Sequence, residues 1–294
     1  MKIVKLIGGL GNQMFQYAFH EELKRRYPEE KIMLDLSMFQ SYTLHKLEVL
    51  DVFSLKPDVA SPEDISRLTR RFRSYFLQRL SRKLLPPKKT ELVEPADDRF
   101  KEEYLERPGD VYYEGYWQNY RYFEPSEKRV RQIFTFPDFA ENDALNREVA
   151  AKIQAGDSVG IHVRRGNYLK QKMYCGICDE AYYRRAVQYI TERVKEPRFY
   201  VFSNDVDWCR AFFGSFLPEE CLCFVDWNRD SASFRDMQLM SLCKHLILAN
   251  SSFSWWGAYL TGAAADPERL ILAPARWLNG VQAKEIHCPS WIKL

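Results

Sequence analysis

The sequence predicts an α/β protein of two lobes, and three observations carry that prediction. The chain opens on an apolar strand, a glycine turn and a helix; its second half repeats strand and helix in an even rhythm. Its 294 residues, 46% hydrophobic and 15% aromatic, are enough to bury two modest cores.

Residues 2–7 (KIVKLI) read as a short buried strand, Gly8, Gly9 and Gly11 as a tight turn, and Gln13 to Arg26 as a helix with apolar Met14, Tyr17, Ala18 and Leu23. Strand, glycine turn and helix in this order are the opening of a Rossmann-like unit. Further strands are expected at 31–36 and 111–116, the latter leading into the aromatic segment GYWQNYRYF. The chain between them is irregular, so the first half reads as one α/β lobe with a helical insertion. That insertion holds eight basic residues and no acidic one between Arg70 and Lys89. Phe72, Phe76, Leu80 and Leu84 align on one helical face until Pro86 and Pro87 end it. Such a helix either packs on its own domain with a solvated basic face or rests on an anionic membrane. A weak peripheral contact through 70–89 is the most membrane association this pattern suggests.

From Ser158 the alternation is clean. Strand SVGIHV is followed by a helix from Asp179 to Glu196, stopped before Pro197, then strand RFYVFS and a helix from Asp205. Strand LCFV, a helix from Ser231, strand HLILA, a helix from Ser252 and strand LILA complete it. This rhythm predicts a parallel, doubly wound sheet. The lobe boundary is expected between Pro137 and Asp157, dividing the chain into 1–150 and 151–294.

With 43 basic and 40 acidic residues, the net charge of +3 supplies no field that singles out nucleic acid or membrane. No RNA-binding signature accompanies the basic run, so a nucleic-acid partner is not expected. Seven cysteines, an odd number in a chain this long, suit a reducing compartment. Cys175-x-x-Cys178 lacks a second ligand pair and reads as two loop thiols rather than a zinc site. The apolar start at Met1 is shorter than a signal peptide, and nowhere do about 18 apolar residues run together. A cytoplasmic location is expected, with the inner membrane face as the place of any peripheral contact.

Ligands of a doubly wound sheet sit beyond the carboxyl ends of its strands. After SVGIHV come Arg164 and Arg165; after RFYVFS come Asn204 and Asp205; after HLILA come Asn250, Ser251, Ser252 and Phe253. Adjacent guanidiniums offer planar forks to a diphosphate, and serines at a helix start add hydroxyl and amide donors where an anion is favoured. Each residue also has an ordinary reading, as a surface ion pair or an N-cap. Their joint placement at strand ends of one sheet favours a ligand. Gly9-x-Gly11 has Met14 where a dinucleotide fingerprint needs its third glycine, and no P-loop pattern occurs, so neither NAD nor P-loop nucleotide binding is expected. Asp205-Val206-Asp207 is a lone D-x-D, which reads as the start of a helix with acid near the positive dipole end. No metal is expected.

The stretches GGLGNQMFQY (8–17), HVRRGNY (162–168), SND (203–205), DMQLMS (236–241) and NSSFSWWG (250–257) resemble the bacterial α-1,2-fucosyltransferases of glycosyltransferase family 11. The likeness runs in order from residue 4 to about 260, with weaker support from GYWQ at 115–118. It implies a GT-B fold, two Rossmann-like lobes facing across a cleft, with GDP-fucose on the second and a galactose-terminated glycan acceptor on the first. It implies inverting transfer to the 2-hydroxyl of that galactoside without a metal and with no cofactor beyond the GDP-fucose substrate. By motif position, His162 and Asp236 would face guanine, Arg164 and Arg165 the diphosphate, and Ser251, Ser252 and Phe253 the phosphates and ribose. Asn204 and Asp205 would belong to the same nucleotide site. Asn167 departs from the family's usual acid and is assigned no catalytic role.

Arg165 is the expected partner of the charge that grows on the leaving phosphate. Asn12 can orient an acceptor hydroxyl but cannot take its proton. Asp35, after the second strand, is a candidate base, although it suits a turn or cap equally. The competing readings are a protein O- or α-1,6-fucosyltransferase and a nucleotide- or glycan-binding module without turnover.

Overall fold

The computed structural model of the protein describes all residues except 41–44, 71–85, 87, 96–98, 262–267 and 281–284. The chain divides into two units, Met1–Thr135 and Phe136–Leu294, each built on its own all-parallel sheet. The division lies ahead of residue 150 because the segment after Phe136 is stitched to the second unit. Arg235 donates to the carbonyls of Pro137 at 2.7 Å and Asp138 at 3.1 Å, and the helix Ala144–Gln154 packs on the helix Phe234–Leu242.

The first unit contains β1 (Lys2–Lys5), β2 (Ile32–Asp35), β3 (Glu91–Val93) and β4 (Val111–Glu114), in the order β2-β1-β4-β3. Alternation along the strands separates two apolar faces. Ile3 pairs with Met33 and Tyr112, and these pack with Ile65 and Leu68 of the helix Pro62–Leu68. Val4 pairs with Leu34 and Tyr113 on the opposite face. There Phe19, from the helix Leu10–Arg26, meets the Tyr113 ring edge-on at 5.3 Å and stacks on Trp117 at 4.4 Å.

That helix begins ahead of the expected Gln13, because extended Gly9 serves as its N-cap. It is buried around most of its girth from Leu10 to Leu23, and Lys24, Arg25 and Arg26 complement the dipole at its carboxyl end. The edge strand β3 was not expected; only Leu92 of its three residues is buried, too little for a periodic signal. The basic stretch read as a membrane-contact helix falls almost wholly outside the described residues. Its described flanks bond to their own unit, Arg70 N–H to Glu91 Oε1 at 2.8 Å and Lys88 Nζ to the Ser66 carbonyl at 2.9 Å. Among the described residues no helix is long and apolar enough to cross a membrane.

The second unit contains β5 (Ser158–Val163), β6 (Arg198–Ser203), β7 (Leu222–Val225), β8 (His245–Ile247), β9 (Ile271–Ala273) and β10 (Ile292–Lys293). Their order is β10-β9-β8-β5-β6-β7. Val159, Ile161 and Val163 point to one face, where they join Tyr182, Tyr183, Ala186 and Phe213 from the helices Glu180–Thr191 and Val206–Gly214. Gly160 and His162 point to the other. A Cβ at Gly160 would come within 2.8 Å of the side chain of Leu246, its partner on β8, so glycine leaves room for that side chain on this face. From β5 the chain winds outward through β6 and β7, then returns to the other side of β5 and winds out through β8 to β10. The carboxyl ends of β5 and β8 are therefore the topological switch point, where doubly wound sheets bind their ligands.

Candidate active site

Beyond the switch point, the two arginines after β5 part to opposite sides. Arg165 turns toward β6: its Nε donates to Asp205 Oδ2 at 2.9 Å, and its guanidinium lies over the Trp208 ring at 4.0 Å. Its backbone N–H donates to Asn204 Oδ1 at 2.9 Å. Gly166 then takes φ +63, which favours glycine, and a Cβ there would lie 2.8 Å from Asn204 Nδ2. A guanidinium clamped along its Nε edge and one ring face presents its remaining N–H groups in a fixed direction.

Arg164 turns toward β8 and lies 5.4 Å from the Tyr168 ring centroid. Tyr168 stacks on Tyr174 at 4.4 Å and hydrogen-bonds Ser251, and burial pushes its hydroxyl up to about 12. Ser251 caps the helix Ser252–Leu260, accepting the Phe253 N–H at 3.3 Å. Phe253 brings its ring to 5.7 Å from the His162 imidazole. His162 is buried, and burial with Arg164 nearby holds its ring down to about 3, so it is neutral at pH 7. Among the described residues its Nδ1 is a buried polar atom without a hydrogen-bond partner. Cationic, hydroxyl and helix-terminal groups thus gather along one edge, with the chemistry that holds a diphosphate.

The structure joins Asp236 to other residues. Asn228 Nδ2 donates to Asp236 Oδ1 at 2.9 Å, and Asn228 is itself bonded to Asn146. Burial raises the Asp236 carboxyl to about 7, against the lowering effect of the Asn228 bond. In the first unit, Asn12 Oδ1 accepts from Gln118 Nε2 at 2.7 Å. Asp35 is only 2% exposed, and both its oxygens accept hydrogen bonds, from Tyr112 Oη at 2.6 Å and Ser37 N–H at 2.8 Å. A carboxylate so enclosed anchors the turn after β2, which is the turn reading of Asp35. Asp205, read as a helix start, stands at the N-cap of the helix Val206–Gly214, and its carboxylate holds Arg165, while Asp207 is exposed on that helix. Among the described residues no cluster of three metal-ligating side chains occurs. Cys178 lies 3.5 Å from Asn250 Oδ1, and burial pushes its thiol up to about 12, which keeps it protonated. Trp208 escaped sequence reading, because its contact with Arg165 spans two strands and its only local mark is a position three residues after Asp205.

Two Rossmann-like units, one carrying a cationic, helix-capped edge at its switch point, define the class: a glycosyltransferase of GT-B type. The model of glycosyl transferase family 11 matches residues 1–294, and the chain belongs to that family. It is 32% identical to an alpha-1,2-colitosyltransferase of Escherichia coli, over 99% of this chain and 98% of that one. It is 26% identical to galactoside alpha-(1,2)-fucosyltransferase 2 of Gorilla gorilla gorilla, over 89% of this chain and 69% of that one. Among solved structures, fucosyltransferase NodZ from Bradyrhizobium shares the fold with a TM-score of 0.52 at 15% identity, over 87% of this chain and 90% of that one.

Proposed function

We propose that the protein transfers L-fucose from GDP-fucose to the 2-hydroxyl of a terminal galactoside, inverting the anomeric carbon and using arginine where other glycosyltransferases use a divalent cation. The observation that carries this reading is the switch point of the second sheet, with the clamped Arg165 toward β6 and a serine-capped helix after β8. Family membership and the fucosyltransferase relatives support it. Cleavage of the fucosyl–phosphate bond leaves the electron pair on the β-phosphate oxygen and an oxocarbenium-like sugar. Arg165, already oriented by Asp205 and Trp208, meets that charge without reorganising. The Arg165–Asp205 ion pair commits the first carboxylate of the D-x-D pattern to a cation of the chain itself. Free thiols and a nucleotide-sugar substrate fit a cytoplasmic location.

The colitosyltransferase relative favours a second reading, in which the sugar lacks the 3-hydroxyl of fucose. Purified protein incubated in EDTA with GDP-fucose or GDP-colitose and defined β-galactosides, with products read by mass spectrometry and linkage analysis, tests both. Fucosyl-α-1,2-galactoside as the main product supports the first reading; a preference for GDP-colitose replaces it with the second. Turnover restored only by Mn²⁺ or Mg²⁺ would overturn the arginine mechanism.

Asp205→Asn keeps the shape and removes the charge that orients Arg165. kcat/KM should fall about tenfold, or about 1.4 kcal/mol. Folding stability should change by less than about 1 kcal/mol, because the pair is partly solvated. Steady-state kinetics and thermal melts separate the two effects. Asp236 supplies a pH test if its carboxylate accepts the guanine N–H groups. Its raised folded value means that ionisation disfavours the fold: the stability contribution is full below the unfolded value of 3.8 and is lost as pH rises through about 7. Guanine binding works in the opposite sense, so GDP affinity should weaken as pH falls below about 7. Calorimetry from pH 6 to 8 checks this, and Asp236→Asn should flatten the profile.

A further inference from the structure

Resting on the GDP-fucose reading, we propose that Asn228 is a positioning residue for base specificity: aimed by Asn146, it holds Asp236 in the orientation that reads a guanine edge. All three belong to the second unit. The helix Phe234–Leu242 joins β7 to β8, which are parallel in one sheet, so it runs back against them and its first turn lies at their carboxyl edge. Asp236 stands in that first turn, and Trp227 and Asn228 in the chain leaving β7. Asn146, from the start of the helix Ala144–Gln154, reaches them there. The helix Phe234–Leu242 also packs on the helix Ser252–Leu260, which begins at the same edge with the Ser251 cap.

The direction of every hydrogen bond in this cluster follows from its ends. The indole of Trp227 can only donate, and the carboxylate of Asp143 can only accept. Trp227 Nε1 donates to Asn146 Oδ1 at 2.9 Å, and Asn146 Nδ2 donates to the two Asp143 oxygens at 2.9 and 3.0 Å, so the Asn146 amide has one orientation. Asn146 and Asn228 then pair amide to amide. Asn146 Nδ2 donates to Asn228 Oδ1 at 2.8 Å, and Asn228 Nδ2 donates to Asn146 Oδ1 at 2.9 Å. That exchange fixes Asn228 in turn, and its remaining N–H goes to Asp236 Oδ1 at 2.9 Å. Asn146 is buried, so the order is set away from bulk water.

Among the described residues the Asp236 carboxylate takes no hydrogen bond besides that from Asn228. Oδ2 and the second lone pair of Oδ1 are therefore left as neighbouring acceptors on one planar group. Guanine matches them, because its N1–H and 2-amino group are adjacent donors, whereas adenine presents an acceptor at N1. Reading guanine needs the ionised carboxylate, which burial disfavours and the Asn228 N–H favours.

The charged groups of the surrounding elements are engaged with other partners. Arg235, beside Asp236 on its helix, donates to the Pro137 and Asp138 carbonyls and lies 3.9 Å from Asp143. Arg229 donates to the Asp226 carbonyl, and the Asp226 carboxylate pairs with Arg210. On the helix Ala144–Gln154, Arg147 donates to the Glu141 carbonyl and Lys152 pairs with Glu148. The helix Ser252–Leu260 carries no acidic or basic residue. The amide of Asn228 thus sets the ionisation of Asp236 against burial.

Titration calorimetry from pH 6 to 8 with GDP and with inosine diphosphate, which lacks only the 2-amino group, tests the assignment. Wild type should prefer GDP by about tenfold or more, and Asn228→Ala should bring the two nucleotides within about threefold. With the donor gone, GDP affinity should begin to fall at a higher pH than in wild type. Asn146→Ala should move both readouts the same way and add nothing in the Asn228→Ala background. Asn228→Asp keeps the shape but exchanges donor for acceptor; it should shift the profile further, and it gives the same readouts if the alanine variant does not fold. Wild-type preference and pH profile in the Asn228 variants overturn the proposal. An equal loss of affinity for both nucleotides at every pH, the mark of a merely structural role, also overturns it. Asp236→Asn with unchanged GDP affinity and preference removes Asp236 from the base, and Asn228 with it, while leaving GDP-fucose as donor. A wild-type protein that binds GDP no better than ADP overturns the donor reading itself.

Discussion

Arg165→Ala is expected to lower kcat a hundredfold to a thousandfold, the loss of about 2.7 to 4 kcal/mol that follows removal of one preorganised donor to a developing charge. The size of the effect follows from how the side chain is held. Asp205 fixes one edge of the guanidinium at 2.9 Å and Trp208 one face at 4.0 Å, so the charge is in position before the leaving group develops its own. Arg165→Lys keeps a charge but loses the planar fork, and should fall between alanine and wild type. The fold should survive both changes, because Arg165 and Asp205 are partly solvated and neither belongs to a core cluster. GDP release in the presence of a β-galactoside measures the rate, and circular dichroism measures the fold. Near-normal turnover in Arg165→Ala would remove this arginine from the mechanism.

Trp255→Ala is expected to produce the largest loss of stability. Trp255 is wholly buried, stacks on Tyr259 at 4.9 Å, and donates from Nε1 to the Ile286 carbonyl at 2.6 Å. Truncating a buried tryptophan costs about 3 to 5 kcal/mol. The midpoint of the thermal transition should therefore drop by roughly 10 °C, at 2–4 °C per kcal/mol for a unit of this size. The same residue lies three positions after the Ser252 that opens its helix, so the loss should loosen the Ser251 cap and weaken GDP binding as well. Differential scanning calorimetry with and without GDP checks both; a drop under about 3 °C would show that neighbouring rings refill the cavity.

Much of the second unit was legible because its strands are short apolar runs that end abruptly in polar residues. Val163 passes to Arg164, Phe202 to Ser203, and Ala249 to Asn250, and such a change marks where a parallel strand leaves the core. The edge strand β3 was invisible, since three residues with one buried side chain carry no period. Asp35 illustrates a different limit. An acid after a strand is visible in the sequence, but whether its oxygens face an acceptor or a tyrosine hydroxyl depends on Tyr112, which reaches it from β4 across the sheet.

The amino-acid sequence by itself determined the class of fold, the family, and the strand ends at which the nucleotide chemistry should gather, because periodicity, turn residues and motif wording are local properties of the chain. Tertiary structure alone decided that Arg164 and Arg165 part toward different neighbours and that Asp205 serves an arginine. Those relations depend on strand order and on contacts between residues far apart in the chain. Both arginines follow β5 directly, and only the order β8-β5-β6 says which strand ends lie on either side of them.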